Sequence, residues 1–133
     1  MSPTPHRPLS PHLQIWRWHF TMFSSIMHRV TGSGNVAGLL LVTAWLVSLA
    51  MGREAYTGFL SLAASPIGLI LWFLLSLSAF VHIMGGIRHF IWDLGLSLEP
   101  KAADTLVYIT MILAVVLDLA FWVYLILSQK VVL

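Results

Sequence analysis

Residues 67–94 read IGLILWFLLSLSAFVHIMGGIRHFIWDL, and this apolar run decides the fold. A segment of roughly 20 apolar residues is long enough to cross the hydrocarbon core of a bilayer. Similar runs extend from about Phe23 to Met51 and from about Leu106 to Leu127. Lipid offers no hydrogen-bond partners, so each spanning segment must satisfy its own backbone as a helix. We therefore expect an all-α integral membrane protein with three antiparallel transmembrane helices, at about 23–51, 67–94 and 106–127.

The composition agrees with a membrane protein. Of the 133 residues, 59% are hydrophobic and only 9% are charged, which is too little polar surface for a soluble domain. The formal net charge is +2 and no basic run is present, so nothing favours binding to nucleic acid. The chain has no cysteine, which excludes an Fe–S cluster, a Cys-ligated zinc and a covalent c-type haem held by this chain alone.

The segments outside the three spans are predicted to be an arm and two loops. Residues 1–22 begin Pro-rich and are expected to form a short interfacial arm, followed by a three-helix anchor domain over residues 23–128. The loops are expected at 52–66 and 95–104, where Gly, Pro, Ser and charged residues collect. Most Lys and Arg residues lie on the side of the arm, which predicts a cytoplasmic amino terminus. They are Arg7, Arg17, Arg29, Arg88 and Lys101, against Arg53 and Lys130 on the other side.

A polar stripe runs along the second span. Helical geometry places His82, Gly86, His89 and Asp93 on one narrow face, with Arg88 roughly 120° away from it. Neutral imidazole is a good iron ligand, and glycine leaves room for a large flat group beside the backbone. The stripe therefore indicates the edge of a haem, and the alternative is a helix face packed against polar residues of a neighbour.

The depths of the two histidines suggest different roles. Counted from Leu94, His82 lies about 18 Å inside the bilayer and His89 only about 8 Å inside. A separation of about 10 Å along the helix is too large for the two imidazoles to bind opposite faces of one iron. It suits one axial ligand and one group near the haem propionates.

A second polar cluster opens the first span, in SSIMHRVTG at residues 24–32. Ser25 and Arg29 share a helix face, and His28 lies about 60° to the side, at the depth of His89. Arg29 can bind a carboxylate such as a haem propionate, or simply extend to the lipid headgroups. Ser25 can donate a hydrogen bond to a quinone carbonyl oxygen. His28, His89 and Asp93 could then relay protons, although His28 is equally well explained by packing.

Two further features concern helix packing. In GNVAG, Gly34 and Gly38 form a small-xxx-small pattern that allows a neighbouring helix to approach closely, although a glycine pair without special partners explains it equally well. Asp118 lies in the middle of the third span at roughly the depth of His82. An unpaired carboxylate there costs several kcal/mol, so Asp118 is expected to be protonated or hydrogen-bonded to a neighbour. A structural hydrogen bond across helices is the first expectation, and a place in a proton path is the alternative.

The motifs together resemble the cytochrome b membrane-anchor subunits of succinate dehydrogenase, or complex II. The resemblance covers nearly the whole chain. It is carried by RPLSPHLQIW in the arm, SIMHRVTG on the first span and HIMGGIRHFIWD on the second, in that order.

The resemblance implies a haem b shared with a second small anchor subunit, with His82 as this chain's axial ligand to the haem iron. It implies that Ser25 and Arg29 bind ubiquinone, and that His28, His89 and Asp93 lie near the quinone or the haem propionates. The other expected partners are an iron–sulfur subunit, a flavoprotein subunit and the lipid bilayer. The chain is not expected to be catalytic alone.

The expected location is a bacterial inner membrane, with the mitochondrial inner membrane as the alternative. A different class of function also fits the polar residues without the resemblance. His82, His89 and Asp93 could relay protons with no cofactor, or only pack, in a subunit of another respiratory complex.

Overall fold

The computed structural model describes residues 15–128, which fold into four helices. These are α1 (Phe20–Ala50), α2 (Arg53–Ala63), α3 (Pro66–Asp93) and α4 (Pro100–Leu127). Helices α1, α3 and α4 are long and apolar enough to cross a membrane. The described residues contain no strand, and the predicted all-α membrane fold is confirmed. Most of the predicted arm, residues 1–14, lies outside the described residues.

Helix α3 lies between α1 and α4 and packs against both of them much more extensively than they pack against each other. Its contacts to α1 are antiparallel, since His28 lies beside Gly85 whereas Gly38 lies beside Leu75. The predicted close approach at the GNVAG pattern is therefore an approach of α1 to α3 within this chain. A Cβ on Gly38 would collide with the Leu75 side chain, and one on Gly34 would lie 3.2 Å from Ser78 Oγ.

The predicted loop between the first two spans is wrong in one respect, because it contains α2. Glu54 lies in the first turn of α2, where its charge complements the helix dipole. The partly buried residues of α2 are Ala55, Tyr56, Phe59 and Ala63, whose spacing is helical. Gly52, with φ of 102°, lets the chain turn between α1 and α2.

The ends of α3 follow from local sequence. Ser65 caps its amino terminus by accepting a hydrogen bond from the Gly68 amide, and Pro66 occupies the first turn. At the other end Gly95 has φ of 75°, and the amides of Gly95 and Leu96 donate to the carbonyls of Trp92 and Ile91. This is a Schellman ending, which terminates α3 one residue earlier than predicted.

Helices α1 and α4 begin earlier than the apolar pattern predicts. The first starts at Phe20 instead of about 23, and α4 starts at Pro100 instead of about 106. The extra turn of α4 holds Lys101 and Asp104, which helices accommodate readily at a membrane surface but which a count of apolar residues leaves out. The second loop is therefore shorter than expected.

The interior of the described chain is more polar than its surface. Only three apolar residues are buried, Val81, Val107 and Ala114, whereas Arg88, Asp118 and several hydroxyl side chains are enclosed. Large aliphatic and aromatic side chains cover the outside of α1, α3 and α4. This distribution is expected where lipid or partner helices, and not water, surround the bundle.

Candidate functional site

His82 is held by its Nδ1 atom. That nitrogen lies 3.1 Å from the backbone oxygen of His28 and 3.4 Å from the Thr31 hydroxyl oxygen. A backbone carbonyl only accepts, so the shorter contact assigns the proton to Nδ1. The other ring nitrogen, Nε2, then keeps its lone pair. Histidines that bind a metal usually donate their second ring N–H to such a carbonyl or to a carboxylate.

The structure brings three of the predicted histidines together. The ring of His28 stacks on that of His82, with centroids 4.1 Å apart and planes 8° from parallel. It also meets His89 edge-on, at 5.1 Å between centroids. His28 therefore lies between the two histidines of α3, which do not stack on each other. Its Nε2 atom is buried with no hydrogen-bond partner among the described residues.

Three glycines shape the space around these rings, in different ways. A Cβ on Gly85 would collide with the His28 ring, and one on Gly32 would lie 3.1 Å from His82 Cε1. These two glycines make room for the histidines themselves. A Cβ on Gly86 would meet nothing, so this glycine borders open space on the polar stripe of α3.

The arrangement can supply one axial ligand to a haem iron. No group of three or more His, Cys, Asp or Glu residues within residues 15–128 could hold a bare metal ion. A haem iron has less demanding requirements, because the porphyrin fills its equatorial positions and the protein supplies only axial ligands. One imidazole with a free Nε2, beside the open space at Gly86, fits that requirement. The remaining position on the iron would need a ligand from outside residues 15–128.

Ser25 and Arg29 face away from the chain's own interior. Arg29 is exposed and Ser25 is half-buried, and neither side chain makes a hydrogen bond within residues 15–128. The preceding residue, Ser24, behaves differently: it is 1% exposed and donates to the Thr21 carbonyl at 2.7 Å. Of two consecutive serines, Ser25 is the one available to a second molecule.

Asp93 does not join the histidine cluster. It is the last residue of α3 and is exposed, with no hydrogen bond to His28 or His89 in the described structure. His89 is half-buried, and its other aromatic neighbour is Trp92, at 5.4 Å between ring centroids. A proton path from Asp93 to the histidines would therefore need water or another molecule between them.

The comparisons with known proteins agree with these observations. A family model described as succinate dehydrogenase/fumarate reductase transmembrane subunit matches residues 3–125. The chain belongs to this family. It is 34% identical over 123 residues to the succinate dehydrogenase cytochrome b556 subunit of Paracoccus denitrificans, covering 90% of this chain and 95% of that one.

Two cytochrome b560 subunits extend the similarity. The succinate dehydrogenase cytochrome b560 subunit of Reclinomonas americana is 34% identical, with 89% of this chain and 85% of that protein covered. The mouse mitochondrial cytochrome b560 subunit is 37% identical over 92 residues, with 68% of this chain and 54% of that protein covered. The resemblance predicted from the motifs is confirmed, and so is the role of a membrane-anchor subunit of this enzyme.

Sequence reasoning assigned no role to one buried side chain of this family member, Arg88. It is 1% exposed and points into the interface between α3 and α4, away from the polar stripe as its helical position predicts. Its Nη1 atom donates to the Thr110 hydroxyl at 3.2 Å, and its guanidinium carbon lies 5.3 Å from the centre of the Trp92 ring. The sequence did contain an indication of a role for Arg88, because an ionisable residue inside a membrane span is a candidate functional residue.

Asp118 is also enclosed in the α3–α4 interface. Its side chain is 0% exposed, and neither carboxyl oxygen has a hydrogen-bond partner within residues 15–128. The expected bond across helices is therefore not made by the described part of the chain. Because its own chain encloses it, a partner subunit has no direct access to these oxygens.

Proposed function

We propose that this chain is the cytochrome b anchor of a succinate:quinone oxidoreductase, holding one axial position of a haem b through His82. The observation that carries the proposal is the hydrogen bond from His82 Nδ1 to the His28 carbonyl, which leaves Nε2 as a ligand. The polar stripe beside it is half-open and borders free space at Gly86. A haem bound there would supply one-electron chemistry beside the path from the iron–sulfur subunit to the quinone.

The chain's residues have distinct parts in this proposal. The Thr31 hydroxyl and the His28 carbonyl hold the His82 ring, and the stacked His28 ring fixes its plane. Arg29 and Ser25 donate hydrogen bonds to ubiquinone carbonyl oxygens and polarise them as electrons arrive. His28, His89 and Asp93 lie on the same side of the membrane and deliver the protons that the reduced quinone needs.

The assembly follows from the same family. A second ligand to the iron would come from the second small anchor subunit, because no other histidine within residues 15–128 is placed to share the iron with His82. The anchor pair holds the iron–sulfur and flavoprotein subunits to a bacterial inner membrane. The amino terminus of this chain and the Ser25–Arg29 pair face the cytoplasm, on the side of the iron–sulfur subunit.

The test is the visible spectrum of the purified complex. We expect sharp reduced bands of a bis-histidine haem in the wild type and in a His19→Ala control, whose side chain is exposed outside the site. In His82→Gly these bands should be lost, and added imidazole should restore them by filling the place of the deleted ring. An unchanged spectrum in His82→Gly contradicts the ligand assignment. A colourless wild-type complex contradicts the haem and favours a cofactor-free proton relay.

A further inference from the structure

The buried guanidinium of Arg88 has no carboxylate partner among the residues that the structure describes. Within residues 15–128 its neighbours are the Thr110 hydroxyl and the Trp92 ring, and its Nε atom is buried with no hydrogen-bond partner. A hydroxyl and an aromatic face do not neutralise a cation. Guanidinium does not lose its proton in proteins, so the position carries a permanent positive charge inside the anchor.

The position of this charge relative to His82 is fixed by α3. Arg88 follows His82 by six residues, which is about 9 Å along the helix and roughly 120° around it. The guanidinium therefore lies on the far side of α3 from the stripe that would face the haem. It is close enough to act through space but enclosed too completely to touch a ligand.

We infer that the fixed positive charge of Arg88 raises the reduction potential of a haem held by His82. The inference rests on the proposed haem site. Ferric haem with two neutral imidazoles carries one more positive charge than ferrous haem. A neighbouring cation destabilises the ferric state more, and the low dielectric of the bundle interior strengthens this effect. The reduced haem is therefore favoured, and so is electron entry into the anchor.

The direction of this effect on the haem midpoint potential can be tested by redox titration of the intact complex, followed through the reduced haem bands. Arg88→Gln removes the charge and keeps an amide in the α3–α4 interface. We expect its midpoint potential to fall below that of the wild type while haem content is retained. Thr110→Asp keeps the arginine but places a carboxylate at its hydrogen-bond partner, so neutralisation should lower the potential in the same direction. If Arg88→Gln does not assemble, the midpoint potential of Thr110→Asp still tests the inference.

The matched control is Thr110→Val, which removes the one hydrogen bond that the Arg88 side chain makes within residues 15–128 and keeps the charge. Its potential should equal that of the wild type. A potential in Arg88→Gln or Thr110→Asp equal to the wild type, with haem bound, overturns the inference and leaves the haem site intact. An equal fall in Thr110→Val also overturns it, since packing would then be the cause. Absence of haem from the wild type overturns the proposed function itself.

Discussion

The two long interfaces of α3, with α1 and with α4, differ in how far they expose their polar side chains. Towards α1, His82 and His89 are half-buried, and the glycines around them leave space for rings. Towards α4, Arg88 and Asp118 are completely enclosed. Helix α3 therefore has an open polar face towards α1 and an enclosed polar interface with α4.

The difference distinguishes two reasons for keeping polar groups in a membrane. An exposed or half-buried group, such as Arg29 or Ser25, can bind a ligand or a partner subunit, so its exposure in the single chain indicates a role in binding another molecule. An enclosed group can act only on its own chain or through its electric field. The contrast predicts that substitutions on the open face change chemistry, whereas those in the closed interface change stability or potential.

The largest expected effect is at Arg29, which is exposed on α1. Arg29→Ala should lower quinone reductase activity about tenfold or more, since a charged hydrogen bond to the quinone oxygen is worth roughly 1.5–3 kcal/mol. Succinate oxidation by a soluble dye, which bypasses the anchor, should stay close to the wild-type rate. Equal losses of the two activities would show that the variant harms assembly and not the quinone site.

The adjacent serines provide a matched pair for the same comparison. Ser25→Ala should lower quinone reduction in the same selective way, though by less than Arg29→Ala because the lost hydrogen bond is neutral. Ser24→Ala removes a hydroxyl whose one hydrogen bond within residues 15–128 is to the Thr21 carbonyl, so quinone reduction should be unchanged. If Ser24→Ala is the more damaging of the two, the assignment of Ser25 to the quinone site is wrong.

How far the sequence predicts this structure depends on the kind of signal. Apolar length alone predicts the three spans, and helical period predicts that Arg88 points away from the stripe. Neither predicts α2, because an amphipathic segment of eleven residues between two spans resembles a loop in composition. The cue was the spacing of Tyr56, Phe59 and Ala63, which has the period of a helix.

The sequence predicts which histidines form the candidate site, but it does not predict how their rings are arranged. Depth counting places His28 level with His89, yet the structure stacks the His28 ring on His82. That contact depends on Gly85, whose missing side chain leaves the space for the ring, and on the rotation of α1 against α3. Single-helix geometry contains no information on the relative rotation of two helices. The hydrogen bond that assigns the His82 tautomer was unpredictable for the same reason.

A smaller effect is expected from the packing of α1 on α3, at Gly38. This glycine is buried and a Cβ there would collide with Leu75, so Gly38→Val should overpack the interface and destabilise the complex by about 1–3 kcal/mol. The melting temperature of the detergent-solubilised complex measures the change. Gly58→Val is the control, since a Cβ at Gly58 meets nothing. Equal melting temperatures in the two variants would mean that α1 and α3 do not pack in this register.

The smallest effect is expected at Asp118, in the closed interface. Both oxygens are enclosed and have no hydrogen-bond partner within residues 15–128, and burying a carboxylate ion without partners costs several kcal/mol. We therefore predict that the side chain carries no charge. Asp118→Asn has nearly the same size and is also neutral. It should change the stability of the complex by less than about 1 kcal/mol and leave the haem midpoint potential unchanged.

The same variant separates the neutral acid from an ionised carboxylate. Asp118 follows Thr110, the hydrogen-bond partner of Arg88, by eight residues, or about 12 Å along α4, which is too far for an ion pair with that guanidinium. An ionised Asp118 would instead be an unpaired buried charge, and Asp118→Asn would then raise the stability of the complex by removing it. The midpoint potential would also rise, since an anion near the haem favours its ferric state. A gain in stability together with a raised potential would therefore show an ionised carboxylate, whose field at His82 opposes that of Arg88.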